Sequence, residues 1–203
     1  MIRNLAKRLG LESLLGITSP AINLVSPPVL DLKAVYKKVD KEIKRFKNEG
    51  EKDRAIMYAL RHVLLCNDEA RTKEVYGLLK SDLEQSNDLW SAAVFANYAQ
   101  DAEWVSAFYK MHINQCLDKK NYREALDLAV KVSDKRRANY VKVTIKDNDQ
   151  SVYETDDAIE LKIKEKEMLL SNSERRIDLK YDLARELEEL KTVKILRKYF
   201  KEY

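Results

Sequence analysis

Beyond Pro28 the chain contains no proline, and its only glycines there are Gly50 and Gly77. A stretch of that length without helix breakers reads as helical. Apolar spacing divides it, predicting helices over 30–48, 51–66, 68–85, 88–100, 102–119 and 121–133. Asp31 stands where the first of these needs an N-cap, and Gly50 where its C-terminal cap belongs. In the second, Ala55, Ile56, Ala59, Leu60 and Val63 form one stripe. The expected fold class is all-α, built of antiparallel helical hairpins as a short solenoid or a bundle.

Both histidines and both cysteines fall into one repeated pattern, His62-x3-Cys66 and His112-x3-Cys116, fifty positions apart. Residues four apart share a helix face. Each pair could therefore supply two ligands to a tetrahedral Cys2His2 zinc site. The other reading is an internal duplication whose register persists outside the four residues. Lys73-Glu74 lies over Arg123-Glu124, Leu78 over Leu128, Tyr58 over Phe108 and Glu51 over Asp101. Periods of this order are typical of helical-hairpin arrays. His62 and Cys66 border the stripe of their helix. His112 and Cys116 share a face with Val105 and Phe108. Both pairs thus point to a core, where buried cysteine is common, and no cofactor is the default expectation, with zinc as the exception these residues allow.

Charged residues make up 35% of the chain against about a quarter in an average protein, yet 38 basic and 34 acidic side chains leave only +4 net. Interspersed signs among periodic leucines describe long solvated helices. Two cysteines make no disulfide framework, which fits a reducing, intracellular and cytoplasmic setting. No apolar run approaches the roughly 18 residues of a membrane helix. Residues 1–16 form an amphipathic helix candidate through Ile2, Leu5, Ala6 and Leu9, with Arg3, Lys7 and Arg8 off that face. It reads as a helix packed on the domain, as a membrane-surface anchor, or as a mitochondrial-type presequence. Residues 17–29 hold all three prolines and read as a linker.

After a hairpin body over 30–138, residues 139–156 break the pattern. Tyr140 to Ile145 alternate with period two, 146–150 read as a turn and 151–155 could return, so a small β-hairpin or a loop is expected there. The region 157–203 is charged and helical. Ile159 to Ile163 alternate and allow a strand, but Leu179, Leu183, Leu187, Leu190, Val193 and Leu196 recur every three or four residues. That spacing describes a long amphipathic helix with coiled-coil character, offering Leu183, Leu187, Leu190 and Val193 as a self-association seam.

Basic residues cluster at Lys37, Lys41 and Lys44, at Lys135, Arg136 and Arg137, and again at Lys194, Arg197, Lys198 and Lys201. Such clusters can neutralise phosphates, although acidic neighbours dilute the field. No glycine-rich phosphate loop, nucleophile elbow or His-Glu-x-x-His is present, so the chain does not read as an enzyme.

Gly50-Glu51-Lys52-Asp53-Arg54-Ala55 and Asn121-Tyr122-Arg123-Glu124-Ala125-Leu126 resemble the turn and second-helix start of tetratricopeptide-type hairpins. The likeness covers residues 30–133. The spacing between units departs from the family's regular period, and the aromatic and glycine positions of the first helix are missing. The resemblance implies a groove that receives a peptide or helix. The function expected is a non-enzymatic interaction or scaffold module with protein partners, itself included as a homo-oligomer. Nucleic acid through the basic clusters is the alternative, and a membrane surface bound through residues 1–16 the third.

Overall fold

The computed structural model describes residues 31–146, 154–172 and 177–201. They form nine helices and no strand: α1 (Leu32–Asn48), α2 (Lys52–Cys66), α3 (Glu69–Leu83), α4 (Leu89–Tyr98), α5 (Ala102–Asp118), α6 (Tyr122–Lys131), α7 (Lys135–Ile145), α8 (Asp156–Asn172) and α9 (Ile177–Lys201). The expected helix and linker at 1–16 and 17–29 lie outside the described residues.

One device closes four of the turns. The residue after the helix end adopts a left-handed conformation, and the following N–H reaches back five residues to a helix carbonyl. Gly50 (φ 77°), Gln100 (φ 63°), Lys120 (φ 57°) and Ser133 (φ 60°) take the left-handed position. The N–H groups of Glu51, Asp101, Asn121 and Asp134 then donate to the carbonyls of Phe46, Ala96, Cys116 and Ala129 at 2.8–2.9 Å. In the last three turns the donor residue also caps the next helix. Asp101 accepts from the Trp104 N–H, Asn121 from Glu124 and Asp134 from Arg137. Short turns of this kind make successive helices antiparallel neighbours.

Helices α1 to α7 pack in chain order, with α1–α2, α4–α5 and α6–α7 as the tightest pairs. Helices α8 and α9 form an antiparallel hairpin zipped by Lys166–Glu186, Glu160–Lys194 and Arg197–Asp156 ion pairs. Helix α9, roughly 37 Å long at 1.5 Å per residue, lies across the array and touches α2, α4 and α5. Near its start Asp178 meets Arg61 at 3.6 Å, and the Arg61 guanidinium sits 5.2 Å above the Tyr181 ring. In its middle, Asn97 donates to Glu188 at 3.2 Å. Near its end, Phe200 packs edge-on against Tyr109, ring centroids 5.3 Å apart.

The core follows from this layout. Leu60, Leu79, Leu83, Phe95, Phe108, Tyr109 and Ile113 are fully buried, and Ala184 and Leu196 of α9 join the same cluster. A second cluster joins Ile159 and Ile163 of α8 to Leu187 and Val193 of α9, flanked by Trp90 and Leu190. Side chains of 157–203 are thus part of the core of the body. Arg197 ties the pieces together. Only 4% exposed, it donates to the Lys131 carbonyl at the end of α6 (3.1 Å) and to the Glu154 carbonyl before α8 (2.7 Å).

One local expectation is corrected. Tyr140 to Ile145 lie in α7 rather than in a strand of a hairpin; residues 147–153 lie outside the described residues, and Glu154 and Thr155 precede α8 without strand structure. The Asp134 cap starts a helix there, and burying Ala138 and Val141, three apart, overrides the β-branched alternation. Ile159 to Ile163 are likewise helical, because Ile159 and Ile163 sit four apart and both bury.

Two substitutions test this account by urea unfolding. Arg197→Ala removes two charge-assisted hydrogen bonds, to the Lys131 and Glu154 carbonyls, and should cost about 2–3 kcal/mol. Lys120→Gly should stabilise by about 1 kcal/mol, because glycine takes the left-handed position without the Cβ penalty.

Candidate functional site

The two His-x3-Cys units occupy different surroundings. In the first, His62 is 1% exposed on α2 and Cys66 closes that helix. The Cys66 Sγ lies 3.5 Å from His62 Nδ1, with the donor set by the imidazole tautomer. The Tyr36 ring of α1 stands edge-on to the imidazole at 5.5 Å, and its hydroxyl donates to Asp68 at 2.8 Å. Asp68 in turn caps α3 by accepting the Arg71 N–H. Arg71, 3% exposed, donates to Asp40 at 2.5 Å, to Glu74 at 2.8 Å and to the Tyr36 carbonyl at 3.3 Å. Its guanidinium also lies 4.8 Å over the Tyr36 ring.

That network binds α1, α2 and α3 around a fixed positive charge. Burial, and then Arg71, push the His62 pKa down to about 4. Burial, and then Asp68, push the Cys66 thiol up to about 11. At neutral pH the pair is an uncharged imidazole beside an uncharged thiol.

In the second unit His112 and Cys116 are buried on α5, and Glu124 reaches them from the first turn of α6. One ligand-type atom from each of the three lies within 4.8 Å of the other two. His112 Nε2 is 3.3 Å from a Glu124 carboxylate oxygen. The other ring nitrogen, Nδ1, is buried with no hydrogen-bond partner among the described residues. Burial, followed by Glu124, pushes the Cys116 thiol up to about 11. The other Glu124 oxygen accepts from the Asn121 side chain.

The shared Cys2His2 centre expected of His62, Cys66, His112 and Cys116 is therefore not formed. The ligand-type cluster among the described residues is His112, Cys116 and Glu124, and His62 and Cys66 are not in it. A repeat register equates the pairs but does not make them converge, since each packs within its own hairpin neighbourhood. Glu124 was reachable from sequence: Asn121-x-x-Glu124 has the spacing of a capping box, which turns the fourth residue back toward the preceding helix end. Arg71 carried no such signal, because its role depends on Asp40, thirty-one positions away.

The remaining expected residues are dispersed. Lys37, Lys41 and Lys44 are exposed along α1 at one end of the array, and Lys135 and Arg136 are exposed on α7 at the other. Arg137 is held by Asp134 at 2.7 Å and lies beneath the Phe200 ring, 5.9 Å away. Leu183, Leu187 and Val193 are buried within the chain and Leu190 is half-buried. The seam that the sequence offers to a second copy is closed against the chain's own helices. Beside it, a polar cleft of about 590 Å³ between α9 and the ends of α2 to α4 is lined by Asn67, Thr72, Tyr98, Glu188 and Lys191. Burial pushes the Glu188 carboxyl above the usual range, with Lys191 at 3.1 Å opposing.

No protein-family model matches the chain, and neither does any curated protein or solved structure.

The first unit predicts a pH dependence. His62 has a folded pKa near 4 against about 6.5 unfolded. Below about 6.5 the unfolded chain gains a proton that the folded chain refuses. The contribution is complete above that pH and is lost as pH falls toward 4, up to about 3 kcal/mol. His62→Gln should therefore lose less stability than wild type between pH 7 and 4.5 in thermal unfolding. Equal losses would show that His62 is not held neutral.

Proposed function

We propose that the chain is a non-enzymatic helical interaction module, a degenerate tetratricopeptide-like hairpin array that serves as a scaffold for protein partners and assembles through its C-terminal helical hairpin. The observation that carries the reading is the seating of α9. A 25-residue helix lies across α2, α4 and α5 and buries Ala184 and Leu196 in their core. An array that buries such a helix in its own chain has the surface chemistry of helix-in-groove recognition.

Because that face is taken by α9, assembly falls to the outer side of the same hairpin. Leu161, Met168 and Leu169 of α8 are 66%, 59% and 39% exposed, and Leu179 near the start of α9 is 44% exposed. Exposed apolar side chains on one helical hairpin are available to a protein contact surface. Among the described residues no helix is long and apolar enough to cross a membrane.

Light scattering on the purified chain over a micromolar concentration series tests the reading. The expected species is a dimer that the double replacement Leu161→Asp, Met168→Asp converts to a monomer without loss of helical circular dichroism. A wild-type monomer throughout, or a dimer indifferent to the replacement, would remove the outer face of α8 from the proposal.

A further inference from the structure

We infer that His112, Cys116 and Glu124 form a binding site for one zinc-type divalent cation, with a fourth coordination position open to solvent. The donor set is imidazole nitrogen, sulfur and carboxylate oxygen, the mixture that borderline-soft Zn²⁺ accepts. Zinc bonds of about 2.0–2.3 Å place tetrahedral ligand atoms roughly 3.3–3.8 Å apart. The three atoms already lie within 4.8 Å of one another, and the imidazole–carboxylate pair at 3.3 Å. Two ligands come from one face of α5 and the third from α6, so the site staples two consecutive helices.

His112 is 9% exposed, and the ring nitrogen that faces Glu124 and would bind the ion is Nε2; the second nitrogen, Nδ1, is buried without a partner among the described residues and is not a ligand in this arrangement. The first unit supplies the comparison. Fifty positions before Glu124 stands Glu74, and fifty before Asn121 stands Arg71. In that unit the Arg71 guanidinium takes the Glu74 carboxylate at 2.8 Å, and Glu74 does not join His62 and Cys66 in a ligand-type cluster. In the second unit the corresponding Asn121 brings no charge and instead orients Glu124 through its side-chain amide, the supporting role that ligating carboxylates require. Binding breaks the Cys116 S–H bond, releases that proton to solvent and forms a metal–thiolate bond, so thiolate and carboxylate together balance the charge of the ion.

The test is titration of the metal-free full chain with Co²⁺ as a spectroscopic probe, followed by Zn²⁺ competition. One equivalent of Co²⁺ should produce a thiolate-to-cobalt charge-transfer band that Zn²⁺ removes. Cys116→Ser should abolish the band, and Glu124→Gln, a change at an exposed residue that leaves the fold intact, should weaken binding at least tenfold. Cys66→Ser should leave both band and affinity unchanged. Absence of a saturable band in wild type would overturn the site, as would a band that survives Cys116→Ser or that depends on Cys66.

Discussion

The placement of α9 across the array is the constraint on which the rest of the molecule depends. Helices α1 to α7 contact mainly their chain neighbours, and an array of that kind is held only by nearest-neighbour interfaces. Helix α9 adds the long-range connections. It meets Arg61 on α2, Asn97 on α4 and Tyr109 on α5. Its closing element is Arg197, whose guanidinium satisfies carbonyls from two segments far apart in sequence. A charge buried so deeply is tolerated because each of those bonds is charge-assisted and because Asp156 lies 3.4 Å away.

The two His-x3-Cys units show how one ancestral-looking pattern is resolved in two electrostatic settings. In the first, burial, and after it a guanidinium that donates to carboxylates on both sides and covers an aromatic ring, holds the imidazole neutral. In the second, an amide replaces the guanidinium, and the carboxylate turns to the histidine and cysteine instead. Arg71, Asp40 and Tyr36 around the first pair, and Asn121 and Glu124 around the second, give the two pairs different neighbours.

Much of the architecture was legible before the fold. The absence of breakers and the apolar stripes gave six helix positions to within a few residues, and Asp31 caps α1 as its side chain suggests. Gly50 marked the one turn where a left-handed residue is glycine; Gln100, Lys120 and Ser133 take the same conformation without a sequence signal. The segment 140–145 misled because its β-branched alternation is a local preference, and burial of Ala138 and Val141 outweighs it. Of the candidate cluster, His112 and Cys116 were visible as a pair, whereas Glu124 was visible only as a cap.

The sequence by itself determined the helical class and the helix spacing, since each rests on periodicity and on residues close in the chain. Tertiary structure alone decided that the leucine seam of α9 is spent inside the molecule, that the two His-x3-Cys pairs stay apart, and that Arg71 and Arg197 are buried clasps. Those outcomes depend on contacts between residues thirty to ninety positions apart. Local composition cannot specify which distant partner will neutralise a buried charge, because that is set by where the packed helices bring it.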